Sequence, residues 1–203
     1  MNIKFVPLSD TTFTLADLYP LMLAAFQERK DAGLNYLCLS MTPDDFAENM
    51  RPAYTVVAVD EDRDRLCGFA AVKVFDKNGH KYAKAKHIAI LPEYKGKGIG
   101  SRLVAIIRDY AKDAGCEYIF GTTAVAANSA VAVHLKHGYQ LVGMHSYKGT
   151  NYYSKVFRCQ FKTPSPWTDP GYCKRQYIRS AIKTRLLYRA DGERSFLGRL
   201  IHR

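Results

Sequence analysis

Three glycines alternate with other residues in Lys95-Gly96-Lys97-Gly98-Ile99-Gly100, between a strand-like run at residues 87–92 and a helix-like run at residues 101–114. The alternation strips side chains from the chain where it turns from strand into helix. Backbone N–H groups at the start of a helix have no partner within it and point outward, toward the positive end of the helix dipole. Together they make an anion site. Lys95 and Lys97 beside them favour a phosphate-bearing ligand.

Two better-known glycine loops do not fit. A P-loop needs G-x-x-x-x-G-K-[ST], which this chain lacks. A dinucleotide fingerprint needs a third glycine three residues after Gly98, where Ser101 stands, and no clean strand–helix–strand unit with a ribose-binding acid follows. A glycine-rich turn without a ligand is the bland alternative.

The chain has 203 residues, 24% of them charged and 47% hydrophobic, the composition of a globular domain with room for an appendage. The longest apolar stretch, residues 18–26, is far too short to span a membrane. Residues 1–4 lack the basic-then-apolar layout of a signal peptide. Cys38, Cys67, Cys116, Cys159 and Cys173 are odd in number, widely spaced and form no C-x-x-C pair. They suggest neither a disulfide framework nor a zinc site, and reduced thiols in a cytoplasm are the expectation.

Periodicity and caps give the element order. Residues 3–8 read as a strand. Thr14 caps a helix over residues 15–30, with Leu15, Leu18, Met22, Ala25 and Phe26 along one face. Thr42-Pro43-Asp44-Asp45 starts a second helix, to about residue 50. Strands follow at 54–59, 66–75 and 82–90, the last two joined by a turn at Asp76-Lys77-Asn78-Gly79. The helix after the glycine loop is expected to bury Leu103, Ile107, Tyr110 and Ala114, and Gly115 ends it. A strand at 117–125, a helix at 129–137 closed by Gly138, and strands at 139–144 and 152–161 complete the domain. Thr163-Pro164-Ser165-Pro166 ends the pattern at residues 1–161.

Residues 162–203 form a C-terminal extension with ten Lys and Arg against three acids, +7 of the formal net charge of +11. Tyr177, Ile178, Ala181, Ile182, Leu186 and Leu187 fall near one helical face, with the bases largely elsewhere. Such a basic, partly helical tail can pack on its own domain or a neighbouring subunit, or contact an acidic partner or a membrane surface.

The glycine loop resembles the R/Q-x-x-G-x-G/A motif of the GNAT superfamily of N-acetyltransferases, with Lys95 in place of Arg or Gln. Ile90-Leu91-Pro92-Glu93-Tyr94 resembles the strand end that precedes it, and His134-Leu135-Lys136-His137-Gly138-Tyr139 resembles the family's second motif. These stretches cover about residues 84–143, and the element order extends the likeness over most of residues 1–161. The resemblance implies an α/β (α+β) GNAT fold: a mixed central sheet, splayed in its middle, with helices on both faces. It also implies acetyl-CoA as acyl donor, direct transfer to an amine, and no metal.

By the same resemblance, acetyl-CoA would lie on Ile88, Ala89, Ile90, Lys95, Gly96, Lys97, Gly98, Ile99, Gly100 and Ser101, with the Ile90 N–H polarising the thioester carbonyl. His134 falls where the family usually carries a tyrosine that protonates the departing thiolate, and it would also touch the cofactor. A histidine titrates near neutrality and could supply that proton; a packing histidine is the alternative. His134 and His137 could share a metal only with a third ligand, which the sequence does not offer. The family's pantetheine-binding Asn maps to Ala127; Asn128, one residue late, either reaches the cofactor through a local shift or only caps its helix.

No obvious base precedes the loop. Lys84 and Lys86 occupy the places where relatives often carry Glu or His, and strict alternation puts them on the Ile90 face, with His87 opposite. Water, Tyr152, Tyr153, Glu28 or Glu48 could take the amine's proton. Lysines along the acceptor groove would suit an anionic amine; solvated lysines on an exposed strand are the alternative. Acceptor choice would lie in residues 31–40 and 144–151, and the aromatic-rich stretch 147–157 could pair across a homodimer. Two other readings stand beside the enzyme: a GNAT-fold sensor that holds acyl-CoA without turnover, and a protein acting mainly through its basic tail.

Overall fold

The computed structural model describes residues 1–201. A seven-stranded mixed sheet runs in the order β1-β2-β3-β4-β5-β7-β6. Its strands are β1 (Ile3–Pro7), β2 (Tyr54–Asp60), β3 (Arg65–Lys77), β4 (His80–Ile90), β5 (Tyr118–Ala124), β6 (Gln140–Ser146) and β7 (Tyr153–Gln160). The helices are α1 (Leu15–Asp31), α2 (Pro43–Met50), α3 (Ile99–Asp113), α4 (Asn128–Lys136), α5 (Pro170–Leu187) and α6 (Phe196–Ile201). The expected order of elements through residue 161 is the observed one.

Local chemistry explains the helix starts. Thr42 and Asp45 form a reciprocal capping box on α2 behind Pro43, and on α1 the Asp17 carboxylate accepts from the Thr14 N–H and hydroxyl. These bonds hold the Asp17 and Asp45 carboxyls below the usual carboxylate range. Gly115 and Gly138, both at positive φ, follow α3 and α4.

Helices cover both faces of the sheet. On one, Phe46 of α2 meets Phe69 of β3 edge-on, with centroids 6.2 Å apart. On the other, Tyr110 of α3 stacks on Tyr54 of β2 at 3.8 Å. Leu103 and Ile107 are buried as expected, but Tyr110 stays 37% exposed; the buried face of α3 runs instead through Ile99, Val104 and Ala111.

Two features set up the cleft. The only parallel pairing among the described residues, β4 with β5, holds at Tyr82–Lys84 against Tyr118–Phe120 and then stops, so the sheet opens toward Ile90 and Ala124. A bulge in β4 also breaks the alternation: Val72 pairs with Ala85, but Ala70 pairs with Ile88, leaving Lys86 and His87 against a single residue. The Ile90 face therefore continues through Ile88 to Ala85 and Ala83. Lys84 turns to the opposite face, its ammonium 6.0 Å from the Phe120 ring. Lys86 reaches Asn49 of α2 at 3.3 Å. Strict alternation put both lysines beside Ile90; the bulge moves them.

The extension lies on the sheet. α5 packs across β6, where a Cβ on Gly143 would come within 3.2 Å of Ser180 Oγ. Its inward residues are Cys173, Ser180 and Thr184; Ile178, Ile182 and Leu186 point outward. Of the six apolar residues on its periodic face, Tyr177, Ala181 and Leu187 are half-buried and Ile178, Ile182 and Leu186 are exposed.

Candidate active site

The sheet's splay opens a cleft of about 660 Å³ between β4 and β5. One mouth lies against the start of α3 and the inner side of α4; the other opens between α1, the 36–41 segment and the 147–152 loop.

At the first mouth the chain leaves β4 through a single helical turn, Pro92–Tyr94, pinned by the buried Tyr94, whose hydroxyl donates to Asp60 Oδ2 at 2.7 Å. Gly98 then takes φ +81°, a left-handed conformation that costs a residue with a Cβ about 1–2 kcal/mol. α3 starts there without a side-chain cap and without an acid in its first turn. Its first backbone bond is Arg102 N–H to Gly98 O, at 3.0 Å. The N–H groups of Ile99, Gly100 and Ser101 thus precede the helix's own bonding and lie at the cleft wall, as an anion site requires.

Gly96, Gly98, Ile99, Gly100 and Ser101 all line the cleft, as do Ile88, Ala89, Ile90 and Lys95; Lys97 does not, and its ammonium sits 5.1 Å over the Tyr94 ring. Lys95 forms an ion pair with Glu28 of α1, and that bond lowers the Glu28 carboxyl's pKa. Ser101 Oγ lies 2.7 Å from His137 Nε2, which fastens α3 to α4.

The backbone of β4 faces the cleft by the same geometry. Leu91 N–H donates to Cys67 O of β3 at 3.0 Å. N–H groups alternate between the two edges of an extended strand, so Ile90 and Ile88 direct theirs to the other edge, where β5 has already diverged.

His134 is 5% exposed and lines the cleft. Its Nδ1 lies 2.7 Å from Ala130 O, which can only accept, so Nδ1 carries the proton. The ring stacks on Phe157 at 4.9 Å. Nε2 faces Gly121, where an added Cβ would stand 3.9 Å away. Burial lowers the His134 pKa, so the ring is neutral near pH 7 and Nε2 offers a lone pair. Asn128 sits at the first position of α4, exposed and off the cleft wall; Ala127 is the N-cap, with no side-chain bond, and Ser129 lines the cleft instead. Among the described residues no group of three metal-ligating side chains occurs, and His134 and His137 have no third partner.

The second mouth is aromatic and cationic. Tyr152 packs on Tyr36 at 4.9 Å, and Tyr36 on Phe26 at 5.3 Å. Burial raises the Tyr152 pKa, so its hydroxyl stays protonated. Arg29, Lys84 and Lys86 line this side, and among the described residues no Asp or Glu lines the cleft. Of the other candidate bases, Tyr153 donates to Tyr188 O, Glu28 is held by Lys95, and Glu48 is exposed outside the cleft. Cys38 lines the cleft as an inert thiol, pushed up to about 11 by burial.

Alternation set His87 opposite Ile90, and it stands there: Ile90 meets Gly100 of α3, while His87 packs between Phe46 of α2 at 5.5 Å and Phe69 at 6.5 Å and lines the cleft with a buried Nε2 that has no hydrogen-bond partner. Burial, then the Lys86 charge, depress its pKa to about 4. Nothing in the local sequence marks the bulge.

The description Acetyltransferase (GNAT) family matches residues 15–139 of the chain. Over 101 residues the chain is 27% identical to the uncharacterized N-acetyltransferase YobR of Bacillus subtilis (strain 168), covering 50% of this chain and 39% of that protein. Over 88 residues it is 27% identical to the probable N-acetyltransferase 14 of Xenopus tropicalis, covering 43% and 42% respectively. The chain thus spans about two fifths of the length of these curated relatives. Among solved structures, a chain of the NatC complex bound to Gag peptide and CoA superposes with a TM-score of 0.65 at 20% identity, over 80% of this chain and 100% of that one. That likeness establishes the shared fold.

Proposed function

The chain belongs to the GNAT acetyltransferase family, and from that premise we propose that it moves an acetyl group from acetyl-CoA directly to an amine. One observation carries the reading: the uncapped start of α3 and the unpaired edge of β4 border the same cleft. The glycine-loop N–H groups would take the CoA pyrophosphate. The Ile90 N–H would polarise the thioester carbonyl, which needs only backbone. No metal enters the reaction.

Attack by a neutral amine leaves a proton on nitrogen and a thiolate to expel. In this reading His134 serves both needs. Its Nε2 takes the proton as the C–N bond forms and returns it to sulfur as the C–S bond breaks. A depressed pKa makes the transient imidazolium a stronger acid, which favours that second transfer. Tyr152 would orient the amine by its protonated hydroxyl. Arg29, Lys84 and Lys86, with no acid in the cleft, support an acceptor carrying a carboxylate or phosphate.

The reading also takes residues 1–161 as the catalytic unit and 162–203 as an extension, sets the protein in the cytoplasm, where its five free thiols would stay reduced, and admits a homodimer through residues 147–157. Among the described residues no helix is long and apolar enough to cross a membrane. The absence of a cleft carboxylate to act as base favours one alternative, an acyl-CoA sensor without turnover.

Thermal stability with acetyl-CoA and with desulfo-CoA tests the cofactor site. A ligand bound only by the folded state adds about 2.7 kcal/mol at 100 times its dissociation constant. No saturable shift at millimolar ligand would overturn the reading. A shift without thiol release over a panel of anionic and neutral amines would leave the sensor.

A further inference from the structure

α5 is built inside out for a helix packed on a sheet. Its hydroxyl side chains face inward: Ser180 Oγ donates to Met144 O at 3.1 Å, and Thr184 Oγ1 donates to the same oxygen at 3.0 Å. Its large aliphatic side chains face outward. Ile178, Ile182 and Leu186, spaced by four, are 45%, 56% and 51% exposed. They make one stripe about 12 Å long, at 1.5 Å per residue. Projected at 100° per residue, Lys174 and Arg185 flank the stripe on one side, and Arg179 and Lys183 on the other. All four are exposed, and α5 contains no acid. Among the described residues none of the four forms an ion pair; Arg175, by contrast, stands 3.9 Å from Asp169.

α6 continues the pattern after a short return. Phe196, Leu197, Leu200 and Ile201 are exposed beside Arg194 and Arg199. Residues 178–201 thus hold seven of the eleven large apolar side chains exposed among the described residues. Apolar exposure so concentrated in one segment of the chain marks a contact surface.

We propose that the outward face of α5, extended by α6, is a docking surface for an anionic lipid bilayer. The aliphatic stripe enters the headgroup boundary, and the flanking lysines and arginines keep their charges at the phosphates while their stems lie along the apolar layer. A bilayer presents both chemistries at the required depth. A second copy of the chain would bring four exposed bases against four others, which opposes association. A nucleic acid would satisfy the bases and leave the stripe in water. The helix is already ordered on β6, so binding incurs little folding cost. The proposal is independent of what the cleft does.

The test is flotation of the full chain with vesicles of phosphatidylcholine alone and with phosphatidylserine added, across a salt series. The wild type floats with the anionic vesicles, less at high salt, and not with neutral ones. Ile182→Asp lowers the partition coefficient roughly tenfold. Each of Arg179→Gln and Lys183→Gln lowers it about fivefold. Melting temperature and the acetyl-CoA shift stay at the wild-type values, which separates this test from that of the cleft. Equal flotation with neutral vesicles overturns the proposal, as does indifference to all three substitutions. So does a dimer that Ile182→Asp dissociates while vesicles are ignored, or retention only by a polyanion such as heparin.

Discussion

Ser180 and Met144 exchange two hydrogen bonds: the Ser180 hydroxyl donates to the Met144 carbonyl at 3.1 Å and accepts from the Met144 N–H at 3.0 Å. Thr184 adds a third bond to the same carbonyl. α5 is thus held to β6 by polar bonds where a helix normally uses aliphatic packing, and Ile178, Ile182 and Leu186 are left outside. Removing one partner strands a buried group, at about 1–3 kcal/mol. Ser180→Ala should therefore lower stability by about 1–2 kcal/mol, and Ile182→Ala on the outer face by less than about 0.5 kcal/mol. Urea unfolding of the two variants gives the comparison. A larger loss for Ile182→Ala would contradict the inverted helix.

Gly98 and Gly100 should separate conformation from space. Gly98 stands at φ +81° with nothing within 4 Å of an added Cβ, so Gly98→Ala strains only the backbone. A cost of about 1–2 kcal/mol is expected. Relief of that strain would turn the first N–H groups of α3, so acetyl-CoA affinity should also fall, by about tenfold or more. Gly100 has ordinary dihedrals, and its Cβ would meet only the movable tip of Ile90, at 3.1 Å. Gly100→Ala should be nearly neutral for folding. Titration of both variants with acetyl-CoA, followed by melting temperature, reads the difference.

The fold was legible because its signals are local. Thr14 with Asp17 and Thr42 with Asp45 announce helix starts, and Gly115 and Gly138 helix ends. The glycine loop was legible for the same reason. What the sequence hid depends on distant partners. The β4 bulge arises from pairing with β3, and it moves Lys84 and Lys86 off the Ile90 face while His87 stays opposite Ile90 as alternation has it. Tyr110 lies at the edge of the buried face of α3 because its partner, Tyr54, lies near the sheet's margin. The orientation of α5 follows from two carbonyl bonds to Met144 that no periodicity encodes. His87 was legible as facing away from Ile90, but alternation could not tell that its own face also lines the cleft.

His87 should make the protein acid-sensitive. Its pKa in the fold, about 4, lies below the ordinary 6.5 because burial and the Lys86 charge disfavour the imidazolium. The unfolded chain therefore binds the proton more readily. This contribution is fully present above about pH 6.5 and is lost as pH falls toward 4, a total of roughly 3 kcal/mol. His87→Phe keeps the aromatic contacts with Phe46 and Phe69 and removes the titration. Carboxylates and other histidines also respond in this range, so the readout is the difference between variant and wild type. The urea midpoint of the wild type should fall more between pH 7 and pH 4.5. Parallel curves would mean that His87 is not buried neutral.

Gly192 should control the 147–152 loop without touching the α3 mouth of the cleft. The return between α5 and α6 clasps residues 147–152. Thr150 Oγ1 lies 3.2 Å from Ala190 O, Gly149 N–H donates to Asp191 O at 3.3 Å, and Lys148 stands 3.7 Å from Glu193. Gly192, at φ +82°, lies so close that an added Cβ would fall 2.3 Å from Lys148 N. That atom is backbone and cannot step aside. Gly192→Val must therefore push the return away from the loop that carries Tyr147, Thr150 and Tyr152 into the cleft. Loops freed of such contacts open locally long before the domain unfolds. Amide exchange over residues 147–152 should rise by an order of magnitude or more, while the stability gained from acetyl-CoA stays unchanged because the α3 mouth is untouched. Once an acceptor is in hand, its KM should rise more than the KM for acetyl-CoA. Unchanged exchange in the loop would show that the extension does not brace the acceptor wall.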